Sequence, residues 1–141
     1  MMRVLLDTSV LLGALISPYG PPAVIYRSWR AGRFELVTST IQLDEVRRVS
    51  RYPKLRSILP AHRVGTMVNN IQPAIVLGSL PPLAEGIEDE SHDAFLMAMA
   101  RAGEAGYLVV TGNSNAGSLQ PGGSIGGTRI VTPAIFCTEA L

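Results

Sequence analysis

A short apolar run that ends in an acid, close to the start of the chain, constrains the fold most. Val4–Leu6 leads directly into Asp7, and Thr8 and Ser9 then precede an apolar segment over residues 10–16. Such a run is typical of a strand buried on both faces in a parallel sheet. Since Thr and Ser favour helix starts, the pattern predicts that Asp7 lies where a strand ends and a helix begins.

Two interpretations of Asp7 follow from this position. Asp is a favoured cap residue, so the side chain could simply cap the first helix. Ligands of open parallel sheets, however, bind outside the carboxyl ends of the strands. A carboxylate held there costs free energy unless it is paired, hydrated or bound to a metal. Position alone leaves both interpretations open.

Strand and helix patterns alternate along the rest of the chain. Apolar runs predict further strands over residues 34–37, 74–77, 107–110 and 129–131, and helical spacing predicts helices over 23–31, 41–49, 61–72, 94–102 and 133–141. The Gly- and Ser-rich stretch 117–127 predicts a flexible loop. This alternation indicates an α/β protein with a parallel sheet. A length of 141 residues favours a single domain over residues 1–141.

Composition predicts a globular cytoplasmic protein. Hydrophobic residues are 47% and charged residues 16% of the chain, and no apolar run reaches membrane-spanning length. The first residues lack a secretory pattern, and Cys137 has no internal disulfide partner. Residues 1–66 carry ten Lys or Arg against four acids, whereas residues 67–141 carry two against seven. A basic half beside an acidic half is compatible with a phosphate-bearing partner near an acidic site, but a solvated helix surface of mixed charge is the simpler interpretation.

Polar residues stand at four predicted strand ends or neighbouring helices. Asp7 follows the first strand, Glu45 lies in the helix after the second, Asp93 opens a helix, and Asn113 follows the strand over 107–110. Parallel topology brings such ends to one sheet edge. Carboxylates gathered there with few cations would repel each other unless a hard divalent ion, Mg²⁺ or Mn²⁺, binds them. The pattern therefore favours metal-assisted phosphodiester hydrolysis.

At this point the chain resembles the PIN-domain ribonucleases, and in particular the small toxin components of toxin–antitoxin pairs. The resemblance is carried, in order, by Val4–Val10, Ser39–Val46, Asp93–Leu96, Tyr107–Asn113 and Thr128–Pro133. It implies a three-layer α/β/α fold with a central, mostly parallel sheet. It also implies Mg²⁺- or Mn²⁺-dependent cleavage of single-stranded RNA, a homodimer, and neutralisation by a cognate antitoxin protein.

The resemblance also implies roles for individual residues. Asp7, Glu45 and Asp93 match the metal-binding acids of the family, and Asn113 completes the catalytic set. Supporting positions around them are Thr8, Ser9, Asp89, Thr111 and Asn115. The basic first half offers Arg47, Arg48 and Arg51 as candidates for RNA binding.

The chain departs from the family pattern at three positions. Ser9 stands where Asn is common, and Asn113 and Asn115 stand where Asp is usual. An amide oxygen can coordinate a metal but brings no charge, so we expect a lower metal affinity. Asp89, one turn upstream of Asp93, is an alternative third acid.

The departures keep a second hypothesis open, a catalytically weak or inactive PIN-like protein that binds RNA or a protein partner. A third, a phosphoacceptor domain with Asp7 as the modified group, is disfavoured. Such domains usually carry paired acids near the first strand and a lysine late in the chain, whereas Lys54 is the only lysine here.

Overall fold

A computed structural model describes residues 1–74, 92–111 and 120–141, with residues 92 and 93 described by their backbone alone. Strands and helices alternate in the order β1 (Arg3–Leu6), α1 (Thr8–Ile16), α2 (Pro21–Arg30), β2 (Glu35–Val37), α3 (Thr40–Ser50), α4 (Pro53–Arg56), α5 (Ala61–Ile71), α6 (His92–Ala102), β3 (Tyr107–Val109), β4 (Ser124–Ile125), β5 (Thr128–Val131) and α7 (Pro133–Ala140). A 3₁₀ turn, Gln72–Ala74, follows α5. The strand predicted over 74–77 otherwise lies outside the described residues.

The described strands form one sheet in the order β2-β1-β3-β5-β4. β1 pairs in parallel with both β2 and β3, and β3 pairs in parallel with β5, so the carboxyl ends of these four strands share one edge. Only β4, among the strands described, runs antiparallel. The predicted α/β fold with a mostly parallel sheet flanked by helices is confirmed.

Alternating side chains of β1 point into two different cores, as a doubly buried strand requires. Val4 and Leu6 join the core formed with α1, α2, α3, α5 and α7, and Leu5 joins the core formed with α6. All three side chains are at most 2% exposed. The apolar run at the start of the chain is therefore an interior strand that packs against helices on both faces of the sheet.

One part of the predicted loop over 117–127 is ordered as a strand. Ser124 and Ile125 pair antiparallel with Thr128 and Arg129 of β5. The turn between them is Gly126-Gly127, and Gly126 adopts a φ of +58°, which glycine reaches without steric cost. The prediction of a loop was wrong at these two residues because a two-residue glycine turn allows the chain to fold back on itself.

Among the described residues, no single helix is long and apolar enough to cross a membrane. By length and composition alone, α1 and α2 would pass as a pair bent by 99°.

Candidate active site

Asp7 lies at the junction that the sequence predicts, directly after β1 and before α1. Its amide donates to the carbonyl of Val109 in β3 at 3.0 Å, and its own carbonyl accepts from the Val10 amide at 2.9 Å. The residue is 4% exposed. The backbone of Asp7 is thus fixed from two sides at the carboxyl edge of the sheet.

The side-chain hydrogen bonds of Asp7 do not support the interpretation that it caps α1. Asp7 occupies the N-cap position of α1, but its side chain makes no capping hydrogen bond to the first turn. Ser39 at the start of α3 shows the contrast, since its Oγ accepts from the Gln42 amide at 3.2 Å. Asp7 thus occupies the N-cap position of α1 without the capping hydrogen bond that Ser39 makes.

The hydroxyl groups of Ser9 and Thr111 form a hydrogen-bonded chain that ends at the Asp7 carboxylate. Ser9 Oγ donates to Asp7 Oδ2 at 3.2 Å and lies 3.4 Å from Thr111 Oγ1, just beyond β3. Because the Ser9 proton is directed at the carboxylate, Thr111 is the donor in the second contact. Ser9 thus gives the carboxylate a hydrogen-bond donor at the position where the resemblance implies Asn.

Glu45 reaches the same region from α3. Asp7, Thr8, Ser9, Glu45 and Thr111 all line one open cleft of about 570 Å³. Gathering two carboxylates in one cleft raises the local negative potential and attracts a cation. Among the predicted site residues whose side chains are described, this cleft brings together the two acids Asp7 and Glu45 and the three supporting positions Thr8, Ser9 and Thr111.

Thr8 contributes an unusual polar atom to this cleft. Its Oγ1 is buried, and within the described structure it has no hydrogen-bond partner. A buried hydroxyl without a partner costs free energy, and such groups call for a water or an ion. The two carboxylates and this hydroxyl are all hard oxygen donors, so the residues present fit Mg²⁺ or Mn²⁺.

The remaining predicted acids and amides are not tested by the geometry. The backbone of Asp93 lies in the first turn of α6, and Asp89, Asn113 and Asn115 lie outside the described residues. In the part of the chain that is described, no group of three or more His, Cys, Asp or Glu side chains forms a metal cluster. The assignment of Asp93 as third acid, with Asp89 as the alternative, stays a prediction.

The three arginines predicted to bind RNA do not form one surface. Arg48 lines the acid cleft, where its Nη1 donates to the Tyr52 hydroxyl at 2.8 Å. Arg47 and Arg51 line a neighbouring cavity instead. The i,i+4 spacing of Arg47 and Arg51 puts these two on one face of the helix, whereas the separation of Arg48 from Arg51 depends on how α4 and α5 pack against it.

Sequence reasoning missed Gln42, which links α3 to β1. Its side chain is fully buried, and Nε2 donates to the carbonyl of Leu6 at 2.6 Å while Oε1 accepts from Thr38 Oγ1 at 2.7 Å. Leu6 immediately precedes Asp7, and Glu45 follows Gln42 by three residues, so this bond links the strand that precedes one acid to the helix that carries the other. A polar residue at a core position of the predicted helix was the available signal.

Together, the parallel sheet, its flanking helices and the cleft at the carboxyl edge define an α/β protein with two acids, Asp7 and Glu45, at its strand ends. The family model for the PIN domain matches residues 3–115, and the chain belongs to that family. PIN domains are generally nucleases and usually bind divalent metals. No curated protein matches the chain.

Proposed function

We propose that the protein is a Mg²⁺- or Mn²⁺-dependent endoribonuclease that cleaves single-stranded RNA and acts as the toxin of a toxin–antitoxin pair. The observation that carries the proposal is the Asp7 carboxylate, which is buried at a helix start that it does not cap and opens on a cleft shared with Glu45. Membership of a generally nucleolytic family supports the same conclusion.

In this proposal Asp7 and Glu45 hold the divalent ion, with Asp93 or Asp89 as the third acid and Asn113 beside them. The bound ion would supply charge stabilisation for the phosphodiester and a lowered pKa for the attacking water. Ser9 and Thr111 keep the Asp7 carboxylate in one orientation through the hydrogen bonds described above. Arg48 at the cleft wall offers a cation to a phosphate of the RNA.

The proposal includes two protein partners in the cytoplasm, a second copy of the chain and a cognate antitoxin. One wall of the cleft is apolar and partly exposed, with Ile16 43% and Tyr52 47% exposed. An apolar wall beside a charged site suits a protein segment that covers the cleft. A complex purified with a small co-expressed neighbouring gene product would support this part.

The test is cleavage of labelled single-stranded RNA with Mg²⁺ or Mn²⁺, with and without EDTA. Asp7→Asn should remove metal-dependent cleavage and leave the unfolding transition cooperative, because the amide keeps the shape but loses the charge. Glu35→Gln is the matched control, since Glu35 forms an exposed ion pair with Arg3 at the opposite end of the strands. Full activity of Asp7→Asn would remove Asp7 from the reaction.

The alternative function is a catalytically weak or inactive PIN domain that binds RNA or a protein. The amides Asn113 and Asn115, at positions where Asp is usual, favour it. RNA binding without cleavage at any metal concentration would make this alternative the better account.

A further inference from the structure

A second cavity of about 580 Å³ lies beside the acid cleft, on the next face of α3. Arg47 from α3, Arg51 at the C-cap of α3 and Arg56 from α4 contribute its guanidinium groups. Leu59 and Val64, which are 4% and 5% exposed, form part of its apolar lining. The cavity thus combines a cationic wall with an apolar wall.

The described lining of this cavity carries a net positive charge. None of the described residues that line it is acidic. Asp44 pairs with Arg47 at 3.3 Å, but the Asp44 side chain is 77% exposed and does not line the cavity. Neither Arg51 nor Arg56 has an ion pair within the described parts of the chain. Three guanidinium groups held around one concavity favour a phosphate, whose oxygens match their planar donors.

The position of the cavity relates it to the acid cleft. Glu45 in the cleft lies in α3, and Arg51 in the cavity is the C-cap of that helix six residues later, which corresponds to roughly 9 Å along the helix axis. Arg48 lines the cleft between them. A nucleic-acid strand whose one phosphate lies in the cleft can therefore bring a neighbouring phosphate of the same strand to the cavity.

We propose that the cavity formed by Arg47, Arg51 and Arg56 is a phosphate subsite that holds single-stranded RNA next to the acid cleft. This inference rests on the proposed ribonuclease function. The guanidinium groups bind the phosphate, and the apolar wall of Leu59 and Val64 packs against the adjoining sugar or base. The subsite positions the strand and takes no part in the chemistry.

The experiment measures binding of labelled oligouridylate to the full chain by fluorescence anisotropy, with EDTA present to prevent cleavage. The double variant Arg51→Gln/Arg56→Gln should bind roughly tenfold more weakly, and the slope of log K against log salt should fall by about 1.4, or about 0.7 for each lost contact. The matched control is Arg30→Gln/Arg33→Gln, which removes two exposed charges from the region before β2.

A steric variant separates the cavity from simple loss of charge. Gly65 lines the cavity, and no heavy atom lies within 4 Å of the position that a Cβ would take there. Gly65→Leu should therefore fill the cavity without disturbing α5, and it should weaken RNA binding while every arginine remains.

The outcomes distinguish this inference from the proposed function. If the native chain cleaves RNA while the double arginine variant loses no more affinity or salt slope than its control, the subsite is wrong and the nuclease stands. Native RNA affinity of the Gly65→Leu variant would likewise contradict the subsite and leave the nuclease proposal standing. If the variants lose affinity as expected but the native chain never cleaves, the subsite stands on an RNA-binding protein. A native chain that binds no RNA overturns both.

Discussion

Replacing Gln42 by Met tests whether the link between α3 and β1 holds the two acids in place. Met keeps the length of the side chain and removes both polar ends. The change leaves the carbonyl of Leu6 without its 2.6 Å donor and the hydroxyl of Thr38 without its 2.7 Å acceptor. Gln42 and Thr38 are both fully buried, so water does not readily replace either bond.

The magnitude follows from the number of buried groups that lose a partner. Each costs about 1–3 kcal/mol, so Gln42→Met should lower the free energy of unfolding by about 2–6 kcal/mol. A domain of this size has on the order of 5–15 kcal/mol in total, so most of the variant should stay folded at 25 °C unless the native stability is at the low end. Adding Thr38→Val removes the unpaired Thr38 hydroxyl, so the double variant should recover part of the lost free energy of unfolding.

The assay pairs urea unfolding with a calorimetric Mn²⁺ titration. Glu45 follows Gln42 on α3, so loosening the helix should weaken metal binding several-fold as well as stability. Gly103→Ala serves as the control for stability alone, because Gly103 packs on Val37, on the face of the sheet covered by α6. A Gln42→Met protein that loses less than about 0.5 kcal/mol, or that binds Mn²⁺ like the native chain, would refute the reasoning.

Three further predictions concern other parts of the chain. Asn113→Asp should tighten Mn²⁺ binding and raise cleavage at limiting metal through Coulomb attraction, with a smaller gain at saturating metal; an unchanged titration would place Asn113 away from the ion. Gly103→Ala should lower the free energy of unfolding by about 1–3 kcal/mol and so lower the urea midpoint, since a Cβ would clash with the Val37 side chain and approach the Met99 carbonyl at 3.2 Å. Burial raises the pKa of the Cys137 thiol, so iodoacetamide should modify it more slowly than a free thiol near pH 8, with the rate rising toward more alkaline pH; a rate like that of a free thiol would contradict this.

The sequence was sufficient for the fold because its signals were local. Val4–Leu6 and Tyr107–Val109 are short apolar runs with no alternation, and both are interior strands of the sheet. The same logic placed Asp7 at the strand end, because a buried strand followed by Thr-Ser allows few other arrangements. Among the strands in the described parts of the chain, β4 alone was missed, although Gly126-Gly127 between Ile125 and Thr128 carried a hairpin signal.

The site was less predictable because it depends on contacts between distant segments. No local pattern shows that the Gln42 amide reaches the carbonyl of Leu6, a contact between residues 36 positions apart. Nor does the run Arg47-Arg48 show that its two guanidinium groups line different cavities, which depends on where α4 and α5 pack. Composition predicted a basic first half of the chain. The packing of the helices then distributes its arginines between two cavities.

The pairing of β1 with β3 also governs when the acid cleft can be completed during synthesis. Leu6 pairs with Val109, and the Asp7 amide bonds to the Val109 carbonyl. The first strand therefore cannot complete its pairing until the segment around β3 has left the ribosome. An emerging chain that carries Asp7 and Glu45 but not yet β3 lacks the part of the cleft that Thr111 lines. Contacts between such distant segments form late because closing a long loop costs entropy. The part of the cleft that Thr111 lines is therefore completed only after most of the chain has been made.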